Sequence, residues 1–180
     1  LIRDSLVAAD PDNAATYKSN YETFVLKIDA LDQAIVESTA TLAPDQRKLL
    51  TYHDAFAYFA RTYGWTVIGA IQPSSFEEPT PKEIAELIDQ VKQEGVTAIF
   101  GSEVFPSSVL EQIGKESSVR YVDVLRDDDL LGAPGDPEHS WLGLMRFDYV
   151  TMVEALGGDA SALESLDVSD VGPDTANYPQ

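Results

Sequence analysis

The sequence contains no cysteine, which excludes disulfides, thiolate metal sites and cysteine nucleophiles. Basic residues are also scarce, since 12 Lys and Arg face 31 Asp and Glu, for a formal net charge of −19. Such a chain repels phosphate backbones and anionic lipid headgroups, so nucleic acids and membrane surfaces are poor partners. The acidic excess favours cations only weakly, because solubility alone accounts for it.

Long hydrophobic runs are absent as well. No stretch approaches the roughly 18 apolar residues that a membrane-spanning helix needs. The chain opens on Leu1, Ile2 and Arg3 rather than on a basic and then apolar signal segment, so we interpret Leu1 as a processed or truncated beginning. The apolar share of 44% in 180 residues predicts one globular domain, with an attached helical segment.

The first third of the chain has the period of a helix. Residues 10–13 (Asp-Pro-Asp-Asn) form a turn signal, and Pro44 marks the end of the pattern. This spacing predicts about seven turns of amphipathic helix, which either crosses between domains or packs along one. Its apolar or aromatic positions recur in steps of four and three, at Tyr17, Tyr21, Phe24, Ile28, Leu31 and Ile35.

From residue 48 onward, strand and helix patterns alternate, which is typical of βαβ units and a parallel sheet. Thr80, Pro81 and Glu83 form a capping box that predicts the start of one helix. We therefore predict an α/β fold with a central parallel sheet of about four strands. The predicted strands are 49–52, 65–71, 96–100 and 119–122, and the predicted helices include 54–63, 81–94 and 141–156.

Three polar residues, His53, Glu103 and Asp123, follow three of the predicted strands. Right-handed crossovers bring the carboxyl ends of parallel strands to one edge of the sheet, where ligands bind in open α/β folds. An imidazole with two carboxylates is a ligand set for a first-row metal. His53 also precedes a predicted helix, whose dipole favours the neutral imidazole that binds metals.

Each of these residues also has a structural interpretation. His53 can be a hydrogen-bonding loop residue, and Glu103 and Asp123 can cap a helix or face solvent. The acidic run 127–129 lacks the glycine and the glutamate of a calcium loop, so we interpret it as a solvated loop. His139, the other histidine, is predicted to lie on the surface at the start of the last helix.

Enzyme signatures are absent from the sequence. There is no phosphate-binding glycine loop, no Gly-x-Ser-x-Gly elbow and no His-Glu-x-x-His helix. We therefore predict that the chain is not an enzyme, and keep a metal-dependent hydrolase with Glu103 as general base as an alternative.

Several motifs together resemble a known family. Residues 51–60 (TYHDAFAYFA) followed by Tyr63-Gly64, and residues 121–123 (YVD), resemble the second domain of the zinc- and manganese-binding solute receptors of bacterial ABC importers. The loop at Gly135-Asp136 before residues 140–145 (SWLGLM) fits as well, and the resemblance covers nearly all of residues 1–157.

The resemblance implies two Rossmann-like lobes, joined by one rigid long helix, with a metal held between them by four side chains. By this resemblance His53 matches the third ligand, where family members carry His or Glu, and Asp123 matches the fourth. Glu103 falls about one residue from an acid close to the site. The first two ligands are histidines of the amino-terminal lobe, expected upstream of Leu1. Three imidazoles and a carboxylate suit Zn²⁺, with Mn²⁺ or Fe²⁺ as alternatives.

The resemblance thus implies an extracytoplasmic receptor, periplasmic or lipoprotein, that binds a divalent metal and hands it to an ABC permease. A surface adhesin of the same family is the other alternative. We expect residues 1–46 to contain the linking helix, residues 47–166 the carboxy-terminal lobe and residues 167–180 a loose tail. Half a metal site predicts weak binding by this chain alone.

Overall fold

The computed structural model describes residues 1–72, 79–102, 107–126 and 129–172. In these ranges it contains seven α-helices and four β-strands. The helices are α1 (Ile2–Ala9), α2 (Ala14–Ala40), α3 (Ala57–Tyr63), α4 (Pro81–Glu94), α5 (Ser108–Ser117), α6 (Trp141–Ala155) and α7 (Ser161–Glu164). The strands are β1 (Lys48–His53), β2 (Thr66–Gln72), β3 (Ala98–Ser102) and β4 (Arg120–Leu125).

The strands form two parallel pairs, β1 with β2 and β3 with β4. Strand β1 also lies beside β3, which gives the spatial order β2-β1-β3-β4. The predicted α/β class with parallel strands is confirmed, but hydrogen bonds join the strands as two pairs rather than as one continuous ladder. None of the helices in the described ranges has the length and apolarity needed to cross a membrane.

Helices cover both faces of the strands, so neighbouring strand residues are buried in different layers. Leu49 and Phe100 pack with α2, α6 and α7 on one face. Leu50 and Ile99 pack with α4 and α5 on the other. All four side chains are fully buried. Strands buried on both faces carry continuous apolar residues, which explains their sequence pattern.

Helix α2 has 27 residues and is therefore about 40 Å long. Its carboxyl half is anchored to the strands, because Leu31 and Ile35 are buried and Trp65 Nε1 donates to Thr39 Oγ1 at 3.1 Å. Its amino half is more open, with Leu26 70% exposed. The predicted long helix is present, and the residues of it that are fully buried against the lobe all lie in its second half.

Three predicted boundaries need correction. Strand β1 continues through His53, which pairs with Gln72 of β2, so His53 ends the strand and does not enter a helix. Helix α3 starts only at Ala57, and the helix-dipole argument for His53 therefore fails. Strand β4 continues to Leu125, so Asp123 lies inside a strand rather than after it.

The first residues of the segment expected to be a loose tail contact α2 and the start of α6. Val168 is buried, and its carbonyl oxygen accepts a hydrogen bond from Ser140 Oγ at 2.6 Å. Lys27 of α2 donates to Asp167 Oδ2 at 2.8 Å and to the carbonyl of Ser169 at 2.7 Å. The hydrogen bond from Lys27, followed by those from Ser169, holds the pKa of Asp167 well below its usual range. The segment therefore ties α2 to α6.

Candidate metal site

His53 lies at the carboxyl end of β1 and is half-buried. The ring of the preceding Tyr52 meets the imidazole edge to face, with centroids 4.7 Å apart. Buried Thr51 donates from Oγ1 to the His53 carbonyl at 2.8 Å and so fixes the backbone at the strand end. These contacts hold the imidazole at the edge of the sheet.

A small cavity of about 30 Å³ lies at this edge, which is room for a water molecule or an ion. The carboxyl ends of three strands meet there, as expected from the parallel arrangement. Its walls come from β1 and the following loop, from β3 and from β4: Thr51, Tyr52, His53, Ala55, Phe56, Phe100, Gly101, Ser102, Leu125 and Arg126.

Asp123 owes its exposure to a β-bulge. Phe100 pairs with Val122 and Ser102 pairs with Leu125, so Asp123 and Val124 together oppose Gly101. Val122 and Leu125 enter the same core cluster, although a regular strand places residues three apart on opposite faces. The extra residue resolves this conflict and leaves Asp123 and Val124 exposed. Bulges of this kind re-aim side chains next to functional sites.

Tyr121 occupies the space beside this bulge. A Cβ on Gly101 would lie 2.7 Å from Tyr121 Oη, so only glycine lets the ring fit. The Ser107 N–H donates to Tyr121 Oη at 3.2 Å. Burial raises the pKa of Tyr121; this hydrogen bond opposes the rise, and the charge of Asp123 adds to it. Asp123 therefore lies within electrostatic reach of the Tyr121 hydroxyl.

The structure places His53 and Asp123 near the carboxyl ends of β1 and β4, with β3 between those strands. Their strands are therefore not neighbours, and two strand spacings separate the backbones by about 10 Å. Glu103 lies outside the described residues. Within the ranges that the structure describes, no group of three or more His, Cys, Asp or Glu side chains comes together as a metal site.

His139 does not line this cavity. Its Nδ1 is 2.9 Å from the carbonyl oxygen of Leu131, in the turn that precedes α6. Ser140 caps that helix by accepting from Gly143 N–H at 2.9 Å. Asp127 and Asp128 of the acidic loop are outside the described residues.

Two residues near the site were missed by the sequence reasoning. Arg126 lines the cavity with His53, and Asp148 of α6 accepts a hydrogen bond from the Arg126 backbone N–H at 2.9 Å. Arg126 follows the predicted strand without any motif to mark it. Asp148 had a usable signal, because it falls on the apolar side of the last helix between Met145 and Met152.

A family model described as "ZnuA: Zinc-uptake complex component A periplasmic" matches residues 1–155. The chain belongs to this family. The predicted resemblance is therefore confirmed. The family is described as a component of zinc uptake and not as an enzyme, so the hydrolase alternative is dropped.

The chain is also similar in sequence to curated metal-binding proteins. The chain is 28% identical over 156 residues to the manganese-binding lipoprotein MntA of Halalkalibacterium halodurans, covering 87% of this chain and 52% of that protein. It is also 28% identical to the iron-binding protein YfeA of Yersinia pestis, covering 87% of this chain and 50% of the relative. The chain thus spans about half the length of the curated relatives it matches.

Solved structures agree with the fold. The periplasmic zinc-binding protein TroA of Treponema pallidum matches with a TM-score of 0.75 and 26% identity, over 86% of this chain and 57% of that one. A manganese-bound mutant of a periplasmic metal-binding protein from candidatus liberibacter asiaticus matches with a TM-score of 0.73 and 26% identity, over 86% and 57%. The names of these relatives mention manganese, iron and zinc.

Proposed function

We propose that this chain is a metal-binding lobe of an extracytoplasmic solute-binding protein, which captures a divalent transition metal and delivers it to the permease of an ABC importer. Membership of the zinc-uptake family supports this function. The observation at the site that supports it most is the cavity that His53 lines together with the ends of β3 and β4. The relatives' names, which include lipoproteins and periplasmic proteins, support a location outside the cytoplasm.

We propose His53 and Asp123 as the two ligands that this lobe contributes, with Glu103 as a neighbouring acid. Imidazole nitrogen and carboxylate oxygen are ligands that Zn²⁺ takes at about 2.0–2.2 Å. A metal ion bound by both side chains would lie over the carboxyl end of β3, the strand between β1 and β4. Since zinc sites use three or four protein ligands, the remaining ligands come from a second lobe in this proposal.

We propose Zn²⁺ as the physiological metal, ahead of Mn²⁺ and Fe²⁺. The reason is the imidazole at position 53, because nitrogen ligands suit Zn²⁺ while a carboxylate-rich site suits Mn²⁺ better. The relatives named for manganese and iron keep both metals as competitors. Competition titrations with the three metals rank them directly.

The test is a Zn²⁺ titration of the full-length protein in competition with a chromophoric chelator. His53→Ala and Asp123→Ala should each weaken binding on the order of 100-fold, because even outer-shell partners of metal ligands are worth 10–100-fold. His139→Ala and Asp45→Ala are the matched controls, since neither residue lines the cavity and both variants should leave the affinity unchanged.

Unchanged affinity in both site variants removes the ligand assignment. Absence of any metal binding by the wild-type protein, together with affinity for another macromolecule, would instead support the adhesin alternative.

A further inference from the structure

Asp148 of α6 is a carboxylate in the interior, with a residue exposure of 7%. Its neighbours along the buried side of the helix are Leu144 and Met152, which are apolar. Burying a carboxylate is costly unless it is hydrogen-bonded, so its position calls for a partner. One of its partners is the backbone of β4, through the 2.9 Å bond from Arg126 N–H to Asp148 Oδ1.

This bond lies next to the last pair of the ladder among the described residues. That pair joins Ser102 to Leu125, and Arg126 is the next residue. Asp148 thus anchors β4 one residue beyond that pair. Arg126 also lines the cavity with His53, and Asp123 lies only three residues earlier, inside the bulge.

A bulged strand has fewer ladder bonds to define its path, so contacts at its end determine where the exposed residues point. We infer that Asp148 is a positioning residue for the metal site: its carboxylate oxygen holds the end of β4, which carries Arg126 of the cavity wall and, in the bulge, Asp123. This inference rests on the proposed function, since Asp123 is the ligand that it would position.

Three variants in the full-length protein separate this role from simple stability. Asp148→Asn keeps an acceptor oxygen at the same place, whereas Asp148→Leu branches at the same carbon but accepts no hydrogen bond. Met152→Ala on the same helix is the control for a weakened core, because Met152 is fully buried and belongs to the main cluster. If Asp148→Leu does not fold, Asp148→Ala is measured in its place.

Zn²⁺ affinity is the first measurement. Asp148→Leu should weaken binding about tenfold or more, the range for outer-shell partners, while Asp148→Asn stays within about twofold of wild type. Met152→Ala should lower the unfolding midpoint without changing the affinity. Wild-type affinity in Asp148→Leu overturns the inference, and so does an Asp148→Asn variant as weak as Asp148→Leu.

Amide hydrogen exchange of the metal-free protein is the second measurement. The Arg126 amide should exchange at least about tenfold faster in Asp148→Leu than in wild type or Asp148→Asn, because it loses the hydrogen-bond acceptor that protects it from exchange. Equal exchange in all three proteins overturns the inference. A wild-type protein that binds no Zn²⁺ overturns the proposed function instead, and the exchange rates distinguish the two failures.

Discussion

The interior of strand β1 and its carboxyl end have opposite properties, although only four positions separate them. Leu49 is completely buried in the main core cluster, whereas His53 is half-buried at the edge of the cavity. The same contrast holds along β4, where Val122 and Leu125 are buried and Asp123 between them is exposed. The fold is therefore stabilised by the buried strand residues, and the candidate ligands are strand residues that the core does not bury.

This separation explains how the site can carry polar groups without loss of the core. The pairing is irregular at two places, a bulge in β4 and a register shift between Leu49 and Leu50 of β1, and the core residues stay buried at both. Substitutions of the buried strand residues should therefore change stability, and those of His53 and Asp123 should change metal binding. A buried-residue variant that weakens metal binding while it stays folded, or a ligand variant that destabilises the fold as much, would contradict this comparison.

The largest expected effect on stability comes from Leu49→Ala. Removing this fully buried side chain should lower the free energy of unfolding by about 2–5 kcal/mol, through lost burial and the cavity left behind. His53→Ala in the same strand should lower it by less than about 1 kcal/mol. Chemical denaturation of both metal-free variants measures the difference. Equal losses would show that the strand end supports the fold as much as its interior does.

Gly101→Ala tests the boundary between the two regions. The new Cβ would lie 2.7 Å from Tyr121 Oη and 2.9 Å from Cε2, so the ring must shift, at a cost of about 1–3 kcal/mol. Gly69→Ala in β2 is the control, since its nearest contact is an ordinary 3.5 Å to Leu87 Cδ2. Denaturation midpoints compare the two variants.

The cost of Gly101→Ala should fall when Tyr121 is replaced by Leu, because the clash partner is then gone. If both glycine variants lose equal stability, the close fit of Tyr121 is not what requires Gly101.

The smallest expected effect is the alkaline response of Tyr149. Burial, and then the charge of Asp148, raises the pKa of Tyr149 to about 12, above an unfolded value near 10. The folded protein therefore keeps a proton that the unfolded chain loses, and stability falls as the pH rises from about 10 to about 12. Tyr149→Phe removes this loss and should gain about 1 kcal/mol relative to wild type by pH 11.

Urea denaturation of the two proteins at pH 8 and at pH 11 checks this sign. The ring itself stays in place in the variant, because Phe59 stacks on it at 5.2 Å between centroids. If the difference in stability between the two proteins is the same at both pH values, the Tyr149 hydroxyl is not shielded from water.

Local chemistry made some elements predictable from the sequence. The capping box at Thr80 is formed, with the Glu83 carboxylate accepting from Thr80 N–H at 2.7 Å, and Gly95 ends α4 with a φ of 65°. These signals depend on residues within one turn of each other, so no distant contact can override them. The long helix was predictable for the same reason.

Other boundaries depended on partners that are distant in the chain. The predicted helix began at residue 54, whereas α3 begins at Ala57, and pairing with Gln72 extends β1 through His53. The predicted β4 ended at Val122, whereas the bulge opposite Gly101 carries the strand to Leu125. Strand ends follow the partner strand, and the local sequence does not contain that information.

The sequence by itself determined the α/β class, the long helix and the identity of His53 and Asp123 as candidate ligands, because periodicity, caps and motifs are local properties of the chain. The tertiary structure alone decided that β3 lies between the two candidate strands, that a bulge exposes Asp123, and that buried Asp148 holds the end of β4. Each of these arrangements joins residues remote in the chain, and only packing of the completed fold brings such residues together.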